Sequence, residues 1–71
     1  MEKKEYKLTP TQMKIIESKK ATFKNVEWEM NSGGNLLIEY DFNGYRSTHR
    51  YGRRGHSFGI TEQYRITGGT I

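Results

Sequence analysis

Two guanidinium groups set between glycines and flanked by rings form the segment of this chain best equipped for recognition chemistry: Tyr51-Gly52-Arg53-Arg54-Gly55-His56-Ser57-Phe58. Glycines at both flanks let the backbone turn while Arg53 and Arg54 project outward. Arginine presents a planar fork that matches phosphates and carboxylates and stacks on aromatic faces. Tyr51, His56 and Phe58 supply flat faces beside it. This combination suits unstacked nucleotides, with charge for the phosphates and rings for the bases. The same loop also fits an acidic protein surface, or an ordinary hairpin loop kept basic for solubility.

Two other constellations carry possible chemistry. His49, His56, Glu39 and Arg50 are nominally the base, acid and cationic stabiliser of a small ribonuclease. Strand alternation sends His49 to one face and Glu39 and Arg50 to the other, which works against a single pocket. Glu27, Glu29, Glu39 and Asp41 would offer oxygen ligands to a hard cation. Arg46 and Arg50 alternate onto the same face, however, with Arg46 opposite Asp41, so a salt-laced solvated face is the expectation. No phosphate-binding loop, dinucleotide fingerprint, zinc-ligand spacing or nucleophile motif occurs, and Gly33-Gly34 is too short for a phosphate cradle. No catalytic residue, metal or cofactor is assigned.

The charges are segregated. All seven lysines lie at or before Lys24 and all five arginines at or after Arg46, with four acids and no base between them in 25–41. The net charge is +4. It favours anionic partners and argues against an acidic mimic of nucleic acid. Arg46, Arg50, Arg53, Arg54 and Arg65 are the candidate phosphate or partner contacts, together with Tyr51, His56 and Phe58. Lys3, Lys4, Lys7, Lys19 and Lys20 would extend the charge along the N-terminal arm and helix.

These side chains need a scaffold. The chain has 71 residues, a hydrophobic fraction of 32% and no cysteine, enough for one helix on one small sheet and no disulfide or thiolate metal staple. Self-association, as a homodimer, would hide surface that so small a core leaves exposed. No apolar run approaches the ~20 residues that span a bilayer, and no signal-peptide segment follows the charged start, so a cytoplasmic protein is expected. Residues 1–7 read as a flexible charged arm and 8–71 as a single domain.

The domain opens with four agreeing helix signals: Thr9 as N-cap, Pro10 at the first helical position, Gln12 completing a capping box, and Leu8 with Met13 as a hydrophobic staple. The helix is predicted over 10–20, burying Met13 and Ile16 with Gln12 and Ile15 beside them, and leaving Lys14, Glu17 and Lys19 in water. After Ala21 the period becomes two. Val26, Trp28 and Met30 alternate with Glu27 and Glu29, and Leu36, Ile38, Tyr40 and Phe42 with Leu37, Glu39 and Asp41. Asn43-Gly44 signals a two-residue type I′ hairpin turn. That turn pairs Phe42 with Tyr45, Asp41 with Arg46 and Ile38 with His49. In the first hairpin the matching register sets Trp28 against Ile38 and Met30 against Leu36. A short fourth strand is predicted over 62–67. The fold class is α+β: an N-terminal α-helix packed on one face of a three- to four-stranded antiparallel β-meander. One helix followed by three strands resembles the front half of double-stranded-RNA-binding domains, without their final helix and its lysines, and no residue carries over from that family.

The function expected is non-enzymatic nucleic-acid binding through the arginine- and aromatic-rich third strand and the loop after it. The alternative is a small phage or mobile-element protein that binds and inhibits a host nucleic-acid-processing protein. The ribonuclease stands third.

Overall fold

A computed structural model describes residues 7–66. Helix α1 (Pro10–Thr22) is followed by β1 (Lys24–Met30), β2 (Leu36–Phe42), β3 (Tyr45–Tyr51) and β4 (Ser57–Arg65). The four strands form one antiparallel sheet in chain order, with α1 resting on β1 and β2. The α+β meander is therefore observed, with four strands.

The helix begins where its caps dictate. The Thr9 hydroxyl accepts from the Gln12 amide at 3.1 Å, and the Gln12 side chain accepts from the Thr9 amide at 3.0 Å, closing the capping box on Pro10. It runs past Lys20 to Thr22 and ends as Phe23 turns extended, its N–H donating to the Lys19 carbonyl at 2.8 Å. Its buried face is narrower than predicted. Gln12 and Ile16 are buried, Leu8 and Ile15 pack partly, and Met13 is 50% exposed. Gln12 takes the position expected of Met13 because its amide has polar partners below that a thioether would lack. Lys19 is not simply in water either. Its ammonium lies over the Phe23, Tyr40 and Tyr51 rings at 5.1, 4.9 and 5.8 Å, so its stem covers apolar surface.

The strand pairings match the expected registers: Trp28 opposite Ile38, Met30 opposite Leu36, Asp41 opposite Arg46 and Ile38 opposite His49. Asn43 and Gly44 take φ of +54° and +81°, both left-handed as a type I′ turn requires. The core consists of Ile16, Leu36, Ile38, Tyr40 and Tyr51, each burial contributing about 1.5–3 kcal/mol relative to exposure. Phe42 and Tyr45, which flank the Asn43-Gly44 turn, stay exposed, as does Trp28 on the edge strand β1.

The fourth strand differs most from expectation. It starts at Ser57, not at Glu62, and spans nine residues. Two register shifts, between Thr48 and His49 and between Arg50 and Tyr51, insert Thr61 and Phe58 as extra residues. These bulges break the period-two signal. They also irregularise an edge strand that could otherwise recruit another chain.

Candidate nucleic-acid interface

The loop joining β3 to β4 carries Arg53 and Arg54, and it is fastened to the start of the helix. Gln12 Nε2 donates to the Gly52 carbonyl at 3.0 Å and to the Gly34 carbonyl at 3.3 Å. The Thr9 hydroxyl donates to the Arg53 carbonyl at 2.9 Å. Within the loop, the Gly52 amide donates to the His56 carbonyl and the Gly55 amide to the Gly52 carbonyl, at 2.7 and 3.0 Å. Gly55 has φ +91°, and a Cβ there would stand 2.6 Å from Thr11 Cγ2, so only glycine lets the loop lie this close to α1. The result is a pinned backbone from which both arginine side chains reach solvent.

Arg53 also points toward the lysine block: its guanidinium donates to the Lys7 carbonyl at 3.4 Å. Arg54 makes no hydrogen bond or ion pair among the described residues. Beside them His56 and Phe58 meet edge to face, centroids 4.9 Å apart. Phe58 is 49% exposed and the Arg50 guanidinium carbon lies 4.7 Å from its ring centroid, a cation–π contact. Arg50 has no carboxylate partner among the described residues, and its buried Nε lacks a hydrogen bond. Lys7, Arg50, Arg53, Arg54, His56 and Phe58 thus gather at one end of the molecule.

Other candidates lie elsewhere. Arg46 is held by carboxylates: Nη1 donates to Asp41 at 2.8 Å, and Nη2 to Glu27 and Glu39 at 2.9 and 3.3 Å. Nη1 donates also to the Asn25 carbonyl at 2.8 Å. The pairing raises the Arg46 pKa, while hydrogen bonds from Asn25 and then Arg46 hold the Asp41 carboxyl below its usual value. Asn25 was not legible as part of this network. It sits at a β1 bulge with φ +55°, a conformation asparagine tolerates better than most residues. Arg65 lies opposite Tyr45, at the far end of the β3–β4 ladder from the arginine loop. Lys20 lines a depression at the β1 edge with Trp28 and three glutamates. Tyr51 is buried and stacked on His49 at 4.4 Å, so its ring faces the helix side and is no platform for a ligand. Lys3 and Lys4 lie outside the described residues. Among the described residues no cluster of three or more His, Asp or Glu could hold a metal ion.

His49 belongs to a different neighbourhood from Glu39 and Arg50. Its Nε2 shares a 2.8 Å hydrogen bond with the Ser57 hydroxyl, while Nδ1 is buried without a partner among the described residues. Burial, and then the Lys19 ammonium, push its pKa below the ordinary 6.5. A protonated ring would bury an unpaired N–H beside a cation. The neutral ring is therefore favoured in the fold, whereas the unfolded chain takes up the proton near pH 6.5. Stability is full above that pH and falls as the pH drops toward the folded pKa. Thermal unfolding followed from pH 7.5 to about 5 should show a declining Tm that flattens in His49→Gln; an equal decline in both proteins would exclude His49 as its source.

No described helix is long and apolar enough to cross a membrane. No protein-family model matches the chain, and no curated protein or solved structure matches it.

Proposed function

We propose that this protein binds nucleic acid without catalysis, through the end built from the β3–β4 loop and the start of α1. The observation that carries the reading is the junction of Thr9, Lys7 and Arg53. It brings the last residue of the lysine arm beside the arginine loop, so two charge blocks separated in sequence act on one ligand. Arg53, Arg54, Lys7 and Arg50 serve the phosphates, and His56 and Phe58 the bases. Arg46 is committed to three carboxylates and takes no part.

Phosphate contacts carry no sequence information and release counterions. The Arg53→Ala, Arg54→Ala double variant is expected to weaken binding at least ~10-fold, about equally across sequences, and to flatten the salt slope by nearly two. Titrations between ~50 and ~200 mM salt would check this. A response that is flat in the wild-type protein sinks the proposal.

A second reading, capture of a host protein, draws on the opposite end, where Phe42, Tyr45, Tyr64 and Ile66 are exposed. Exposed aromatic and apolar groups concentrated in one region mark interaction sites. A pull-down repeated after nuclease treatment separates the two readings: one specific protein retained through nuclease favours capture.

A further inference from the structure

We infer that the ligand of the arginine loop is a short single-stranded segment, not a duplex; the inference rests on the nucleic-acid reading and specifies its substrate class. Three features of the site point there. The first is its width. Among the described residues, the cations gathered at this end are Lys7, Arg50, Arg53 and Arg54, and the other described basic side chains lie at the far end of the sheet or along the helix. Four cations neutralise a few phosphates, whereas a duplex offers two strands of them along a rod.

The second feature is the surface a rod would lie on. Glu27, Glu29, Glu39 and Asp41 occupy β1 and β2, on the sheet face that also carries Arg46 and Arg50. Arg46 offsets one of these charges and leaves the half-sheet acidic. A duplex seated on the loop and laid along the sheet would bring phosphates against those carboxylates. A flexible single strand can end or turn away at Phe58.

The third feature is the aromatic pair. Bases inside a duplex already stack on one another and present only their edges. Phe58 and His56, both exposed and meeting at 85°, present ring surface that only an unstacked base can use. Arg50 behind Phe58 fixes the ring and adds positive charge beneath the stack. The pinning of the loop by Thr9 and Gln12 means little ordering cost is incurred on binding.

The test is fluorescence anisotropy on the full chain with labelled strands of about eight nucleotides, RNA and DNA as separate arms, against duplexes of the same sequence and length. Either single strand is expected to bind at least ~10-fold more tightly than its duplex, with a log–log salt slope of about −2 to −3, as three to four released counterions give. Phe58→Leu, which keeps an apolar side chain against Arg50, should lose ~5- to 100-fold on the single strand and leave duplex binding unchanged. Duplex binding equal to or tighter than single-strand binding overturns the inference and leaves the nucleic-acid reading standing. So does a single-strand affinity indifferent to Phe58→Leu. Absence of binding to every probe overturns both.

Discussion

Gln12→Leu should remove a large share of this domain's stability. Gln12 is fully buried, and its side chain satisfies three backbone groups at once: the Thr9 amide, the Gly34 carbonyl and the Gly52 carbonyl. Leucine matches its size and gains some apolar burial. It leaves two buried carbonyls and one partly buried amide without this partner, at roughly 1–3 kcal/mol for each buried group. A net loss of about 3–5 kcal/mol is comparable to the ~4–10 kcal/mol that a chain this long possesses. The expected fall in Tm is about 15–30 °C. Gln12→Glu isolates the donor. It keeps the shape and the acceptor for Thr9, but at neutral pH sets a carboxylate against two carbonyl oxygens. Its Tm should also fall steeply, with partial recovery as acid supplies one proton to donate. A Gln12→Glu protein as stable as the parent at pH 7 would show that the two carbonyl bonds contribute nothing.

The same residue shows why the chain was only partly legible as sequence. Thr9, Pro10 and Gln12 announce a helix start because capping is local, a matter of three residues. The further bonds to Gly34 and Gly52 join segments 22 and 40 residues away, and no local spacing encodes them. Sheet register was readable for a related reason. Asn43-Gly44 admits one tight turn, and alternation then leaves each partner no choice. Where alternation breaks, legibility ends: the bulges at Thr61 and Phe58 and the positive φ of Gly59 concealed the first half of β4. The candidate site divides along the same line. Arg53, Arg54, His56 and Phe58 stand together because they share a loop. That Lys7 joins them, while Arg65 lies at the other end, depends on how the chain folds back.

Arg46→Met is expected to cost about 1.5–3 kcal/mol, less than a buried ion pair broken on one side, because the partner carboxylates keep part of their hydration. The Arg46 side chain is 14% exposed while those of Glu27, Glu39 and Asp41 are 75%, 43% and 24% exposed. The guanidinium therefore loses more solvent than its partners do, and its removal acts mainly by leaving three like charges across adjacent strands. Two consequences separate this from simple loss of packing. Raising salt should narrow the gap in Tm between variant and parent, since screening relieves the repulsion and weakens the ion pairs together. Acid should narrow it as well. Asp41 is held below its usual pKa by Asn25 and Arg46, so the parent's share of stability from this carboxyl is present above about pH 4 and lost as pH falls through the folded value. In the variant, protonation of the same acids removes repulsion instead. A gap that stays constant across salt and pH would mean that Arg46 contributes its stem and not its charge. On the proposed nucleic-acid reading, folded Arg46→Met protein should bind as the parent does, because the cations assigned to the ligand lie at the other end of the sheet. A selective loss of binding would place Arg46 in the interface and undo that division of labour among the arginines.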